Sequence, residues 1–327
     1  MAGKRITLAM GLALVVAGGA SLSCAEDYPT RPVTIVVPYT PGGSTEILAR
    51  LVGQKLEERL GKPVLIENKP GAGTVIGATM VAKSAPDGYT LLMATPTPMA
   101  INLAVYRNLP YDPRTDLVPL AMVAQAPFLL LVNPSLPVTS VSELIAFAKA
   151  NPSALSYGSG GVGAPHHLYA ELFKSMTGIS MTHIPYKGSL PALNDVIAGH
   201  IQVMFCDVPP AAPMVQTGKV RALGVSTRTR LAAFPDLPTV AEAGVPGFDV
   251  AGWFMLTAPG ETPGAVVDRL HGDLKRVLAA PEMREQIVKL SLLPMDTPSV
   301  DDMRGFVKSE VVRWGGVVEQ AGIAGSE

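Results

Sequence analysis

The residues best suited to chemistry gather in loops that follow short apolar runs and precede helical ones. The first loop is Tyr39-Thr40-Pro41-Gly42-Gly43-Ser44-Thr45-Glu46, which lies between VTIVV (33–37) and the amphipathic stretch ILARLVGQKLEERLG. Gly42 and Gly43 allow a sharp turn, and Ser44 offers a helix N-cap. The first helical turn leaves amide N–H groups unpaired, and the helix dipole adds partial positive charge there. Such a loop can hold an anion without any arginine, although the same residues would serve an ordinary capped helix equally well. A second loop, Ser159-Gly160-Gly161-Val162-Gly163-Ala164, repeats the arrangement after LSYGS (155–159), with Pro165 suited to a first helical turn. A third, Tyr186-Lys187-Gly188-Ser189, contains Lys187, the one cation in these loops, which reads more readily as a solvated side chain. Thr95 and Thr97 offer hydroxyls after YTLLMA, and Asp207 follows the strand IQVMF. Asp207 could receive an ammonium group or a ligand hydroxyl. Glu46 could do the same or simply favour the helix dipole.

Signals for catalysis are sparse. The chain has no G-x-S-x-G elbow and no H-E-x-x-H pair. His166 and His167 are adjacent, so on a helix they diverge by about 100°; one can face a cleft, and a shared metal is not expected. Cys206 ends an apolar run, where a thiol is ordinarily inert core. Residues 158–163 fit G-x-G-x-x-G, but the stretch about 20 residues on, SMTHIPYKGS, lacks the acidic residue that would hold a ribose. No cofactor, metal or catalytic residue is expected. A serine hydrolase using Ser44 or Ser159 remains a weaker alternative, and it requires a histidine beside one of those serines.

The elements that must position these loops alternate in kind. Runs at 33–37, 63–68, 89–94, 128–133, 155–159 and 219–226 read as strands, with helical stretches such as Val75–Ala82 and 141–151 between them. WFMLTAP (253–259) and the helices after it return to the style of the first series. This regular succession predicts an α/β fold in two lobes, with the chain crossing between them twice, near 121–132 and 250–258. Lobe 1 is expected to comprise 26–126 plus 253–327, and lobe 2 residues 127–252.

The amino terminus predicts export. Lys4 and Arg5 precede the apolar run 6–17, which would rise about 18 Å as a helix against a hydrocarbon core of roughly 30 Å. Small residues at Ser23 and Ala25 suit cleavage after Ala25, which makes 1–25 a signal peptide and the periplasm the destination. Cys24 lacks the aliphatic residue three places earlier that lipidation favours, since Ser21 stands there. Its removal would leave Cys206 alone and no internal disulfide. No later segment approaches 18 uncharged apolar residues, so the mature protein is expected to be soluble. Loss of Lys4 and Arg5 changes the charge from 26 − 27 = −1 to 24 − 27 = −3, with no basic run, so no nucleic-acid partner is expected.

Taken in order, RPVTIVVPYTPGGSTE, VLIENKPGAGTVIGA, APDGYTLLMA, LPYDPRTDLVPL, LSYGSGGVGAPHHLYAELF, IPYKGSLPALNDVIAGHIQVMF, FPDLPTVAEAGVPGFDVAGWF and TPGAVVDRL resemble the extracytoplasmic solute receptors of tripartite tricarboxylate transporters, the Bug receptors. The resemblance implies a two-lobed periplasmic binding protein of type II-like form that closes over a small, usually carboxylated ligand and serves membrane permease subunits. A monomer is expected. The resemblance places ligand contacts at Thr40–Thr45 and Ser159–His166, with Lys187 and Asp207 flanking the same cleft. The chain departs from the family at Glu46, where Asp is common, and at Cys206-Asp207, so a named specificity does not transfer. Val162 and Ala164 make the second loop blander than usual, which suits a more apolar or aromatic carboxylate as well as a dicarboxylate. An exported sensor that signals to a membrane kinase would use the same binding chemistry.

Overall fold

The computed structural model describes residues 28–327; the expected signal peptide, its cleavage point and Cys24 lie outside the described residues. The β-branched runs become strands and the amphipathic stretches helices, in the order β1 (Val33–Val37), α1 (Ser44–Leu60), β2 (Val64–Asn68), α2 (Val75–Ala82) and β3 (Thr90–Ala94). A π-helical turn at Thr97–Ile101 leads into the short α3 (Asn102–Val105), then β4 (Leu117–Ala126). The second series is β5 (Phe128–Val132), α4 (Val141–Ala150), β6 (Ser156–Ser159), α5 (Pro165–Thr177), β7 (Thr182–Pro185), α6 (Ser189–Ala198), β8 (Val203–Asp207), α7 (Val208–Gln216) and β9 (Arg221–Val225). The chain ends with β10 (Gly252–Pro259), α8 (Gly264–Ala279), α9 (Pro281–Lys289), β11 (Leu293–Pro294) and α10 (Val300–Gln320).

These strands form two sheets, ordered β11-β4-β10-β3-β1-β2 and β7-β6-β8-β5-β9. In the first, β1 runs parallel to β2 and β3, while β10 is antiparallel to both β3 and β4. In the second, β6 runs parallel to β7 and β8, and β5 is antiparallel to β8. This is the two-lobed α/β architecture the sequence predicts. The direction of the strands matters most. The loops after β1 and β3 leave one edge of the first sheet, and those after β6, β7 and β8 leave one edge of the second. In open α/β sheets that carboxyl edge is where ligands bind.

The crossings sit at these same edges. Only Pro127 separates β4 from β5, and the chain leaves one sheet and enters the other there. The return passes beside it: Gly252 pairs with Ala126, and a Cβ on Gly252 would lie 3.3 Å from that of Ala126. Fully buried Ser226 ties the two crossings together. Its Oγ accepts from Phe128 N–H (2.9 Å) and donates to Val250 C=O (2.7 Å), and its own N–H donates to Phe128 C=O (2.9 Å).

The last helix braces this joint. Buried Glu310 on α10 accepts from Trp253 Nε1 on β10 (2.8 Å) and from Trp314 Nε1 (2.9 Å). The Trp314 ring stacks on Tyr169 of α5 at 5.5 Å, so one helix touches elements attached to both sheets. Among the described residues no helix is long and apolar enough to cross a membrane. Replacing Ser226 with Ala should strand the Phe128 N–H and the Val250 carbonyl in the interior. Loss of about 1–3 kcal/mol of folding free energy is expected, read as a lower urea midpoint with an unchanged slope.

Candidate functional site

On the first lobe the apolar strand β1 ends at Val37, and the chain then turns through Pro38, Tyr39, Thr40, Pro41 and Gly42 into α1. Gly42 has φ +90°, a conformation that favours glycine. The N-cap is Gly43, not Ser44: Ser44 is already helical, and no side chain caps the helix. Half-buried Tyr39 donates or accepts a 2.7 Å hydrogen bond with Thr95 Oγ1, and Thr97 bears on the same hydroxyl. Burial raises the Tyr39 phenol above its ordinary value, the two threonines hold it back, and the charge of Asp207 across the cleft adds to the rise. Glu46 is turned into its own loop. Its carboxylate accepts from Gly42 N–H (2.6 Å) and from Arg50 Nε (2.8 Å), and these two contacts, in that order, hold its carboxyl below the usual range. Glu46 thus shapes the loop.

On the second lobe β6 delivers Ser159 to the carboxyl edge, and Gly160–Ala164 lead into α5, whose N-cap is Ala164 with Pro165 behind it. Gly161 and Gly163 have φ of +128° and +71°. Gly163 lies against the first lobe, where a Cβ would stand 3.3 Å from Val105 Cγ2. Val162 is exposed. His166 and His167 diverge as their spacing requires. His166 Nε2 meets Asp207 Oδ2 at 2.9 Å, and the ring packs edge-on to Phe128 at 5.3 Å. Burial works to raise the Asp207 carboxyl, but the His166 ring, the Asp207 backbone N–H and Ser189 outweigh it and hold it below its usual range. Nδ1 of His166 and the hydroxyl of Tyr169 are buried without a protein partner. Gly160 sits against both this ring and the backbone of Gly188. Lys187 is exposed on the rim.

Three helices start at these loops, and none of the three starts is capped. Helices α1, α5 and α6 begin at Gly43, Ala164 and Gly188, and none has a side-chain cap. Helices α4 and α10 begin at Ser140 and Ser299, each of which accepts from a first-turn N–H. Helices α2, α7, α8 and α9 also start without a side-chain cap; those at Gly43, Ala164 and Gly188 follow β1, β6 and β7 at their carboxyl edges, where first-turn amides can meet a ligand. Among the described residues no cluster of His, Cys, Asp and Glu could hold a metal ion. Cys206 is a buried free thiol, its pKa raised by burial and by Asp207.

Spacing did not reveal what lies behind the second loop. His183 of β7 brings Nε2 to 2.6 Å from Ser159 Oγ, the juxtaposition a serine hydrolase would need. Yet Ser159 is fully buried, donates to Gly161 C=O (3.0 Å) and accepts from Gly161 N–H (3.1 Å), so its hydroxyl is committed to the loop. His167 Nδ1 accepts from Gly163 N–H (3.1 Å), and its ring lies face to face with His183 at 3.8 Å and 6°. Tyr157 stacks on His183 at 4.9 Å and gives its hydroxyl to Glu171, which Lys174 also holds (2.7 Å). Burial is the leading cause that lowers both imidazoles to about 4, and for His167 the neighbouring ring adds to it.

Above pH 6.5, the ordinary histidine value, the rings are neutral in folded and unfolded chains alike. Below it the unfolded chain binds protons that the folded rings refuse until about pH 4, so stability falls as pH falls through that window. The urea midpoint should therefore drop between pH 7 and pH 4.5, and His183→Gln should flatten the decline.

Comparison with known proteins agrees with this geometry. Residues 48–323 match the family described as tripartite tricarboxylate transporter family receptor. Protein BugT of Bordetella pertussis is 37% identical over 320 residues, covering 97% of this chain and 98% of that protein. Among solved structures, R. palustris Rpa4515 with adipate superposes with a TM-score of 0.84 at 42% identity, covering 91% of this chain and 99% of that one. MatC (Rpa3494) from Rhodopseudomonas palustris with bound malate gives 0.79 at 33% identity, covering 89% and 100%. The uncapped helix ends, the paired crossings and these matches lead to one conclusion: the chain belongs to the tripartite tricarboxylate transporter receptor family.

Proposed function

We propose that this receptor captures a small aliphatic dicarboxylate between its lobes and hands it to the membrane permease subunits of a tripartite transporter. The observation that carries the reading is the set of uncapped helix N-termini at Gly43, Ala164 and Gly188, gathered at the two carboxyl edges. One carboxylate would take the amides around Gly43–Thr45 with the Tyr39, Thr95 and Thr97 hydroxyls nearby. The other end would lie against Gly160–Ala164, Gly188 and the His166–Asp207 pair, with Lys187 at the rim. The relatives with adipate and malate support a dicarboxylate over an aromatic acid. Residues 26–126 plus 253–327 would move as one body and 127–252 as the other, and ligand would shift the equilibrium toward closure through its tighter binding to the closed form. The protein works as a periplasmic monomer after cleavage behind Ala25, and Ser159, the serine placed beside a histidine, is buried within its loop and not presented as a nucleophile.

A thermal-shift screen of the mature protein tests this reading. Adipate and malate should raise the melting temperature by mass action, and sugars and arginine should not. A shift with sugars or arginine and none with any carboxylate would sink it. Replacing His166 with Ala leaves the Asp207 carboxylate uncompensated beside an anionic ligand. Affinity should fall roughly tenfold or more, equivalent to about 1.4 kcal/mol, in a calorimetric titration.

A further inference from the structure

We propose that His167 and His183 are positioning residues: the stacked, neutral imidazoles hold the second lobe's ligand loop in its binding shape, and protonating them lets the loop and its carboxylate go. The inference rests on the reading of Ser159–Ala164 as a ligand loop. It is carried by two hydrogen bonds that end on the rings. His167 Nδ1 accepts from the Gly163 N–H (3.1 Å), so that nitrogen bears no proton. Ser159 gives its own proton to Gly161 C=O, so it accepts the Nε2–H of His183 (2.6 Å). One ring thus fixes the start of the loop and the other its end. The face-to-face contact at 3.8 Å and 6° fixes the rings to each other.

A proton arriving from solvent on His167 Nδ1 sets one donor against another at Gly163 and removes the tie. A second proton, on His183, places two like charges in stacked rings. The groups facing the pair come from three elements: Tyr157 of β6, the partner ring across β7 and α5, and Glu171 and Lys174 of α5. Glu171 is the one group that would favour a charged imidazole, and its Oε1 is occupied by Lys174 and the Tyr157 hydroxyl. Burial and the lysine therefore prevail, and both rings stay neutral down to about pH 4. Gly163 is also the loop residue seated against Val105 of the first lobe, so its release loosens that contact.

The test uses the mature chain with adipate as probe, and two readouts. With both rings titrating near 4, about a quarter of the molecules keep both neutral at pH 4.0, so affinity should be about fourfold weaker than at pH 7.5. The ligand's own carboxyls titrate in the same range, so the comparison is with His167→Asn under identical conditions, which keeps an acceptor near Nδ1 and cannot be protonated there. That variant keeps His183, so its excess loss should fall from about fourfold to about twofold. His167→Leu should bind several-fold more weakly already at pH 7.5, with Asn restoring affinity; equal affinity of the three at pH 7.5 would reduce the ring to a structural role and overturn the proposal. His183→Gln gives the same comparison at Ser159 if the first position folds poorly. Separately, without ligand, the Gly163 amide resonance should titrate with acid in the wild type and stay fixed in His167→Asn, while circular dichroism reports an intact fold. A silent Gly163 amide overturns the clamp and leaves the dicarboxylate reading standing. A titrating amide in a protein that binds no carboxylate supports the clamp and removes that reading.

Discussion

The hydroxyl of Ser226 accepts from the outgoing crossing at Phe128 and donates to the returning one at Val250, and the rest of the architecture depends on this junction. It keeps both passages between the sheets side by side. Because β5 runs antiparallel to β8, the same junction sets Phe128 opposite Asp207, so the joint and the floor of the cleft share residues. Parallel strands must all end at one edge, and two such sheets joined at those edges bring their post-strand loops together. The cleft is thus a consequence of strand direction, with no separate element needed to build it.

In the proposed reading, anion binding in this cleft would rely on oriented amides more than on formal charge. Lys187 is exposed, Arg50 is committed to buried Glu46, and half-buried Asp207 is negative and paired with His166. Helix ends provide partial positive charge without a long side chain to order, and the hydroxyls of Tyr39, Thr95 and Thr97 add donors that carry no charge. Glu46 contributes indirectly by holding the Gly42 amide and so the turn that aims the helix. Release of the ligand does not then require a buried ion pair to be broken.

Much of this was legible in the sequence because it depends on local pattern. VTIVV had to be a strand, and PYTPGGS had to turn before a helix. The Gly/Ser loop at 159–164 and the divergence of His166 from His167 followed from spacing alone. The N-cap was misplaced by one residue because serine is the better cap by propensity, whereas this loop leaves its helix end uncapped at Gly43. The long-range pairings were hidden. Ser226 meets residues 98 and 24 positions away, His183 meets Ser159 across 24, and Glu310 meets Trp253 across 57. The apolar stretch at 121–132 announced a crossing, but only Pro127 divides it into two strands in different sheets.

The placement of Glu310 has an optical corollary. The chain contains two tryptophans, and both indole N–H groups end on that one carboxylate. Trp253 follows directly on the return crossing, and Trp314 lies over Tyr169 of the opposite lobe. All indole emission from this protein therefore originates beside the joint, where a rotation of one lobe against the other changes the stacking partner and the local field. The closure proposed above would therefore register in the protein's own fluorescence, with no label introduced to follow it.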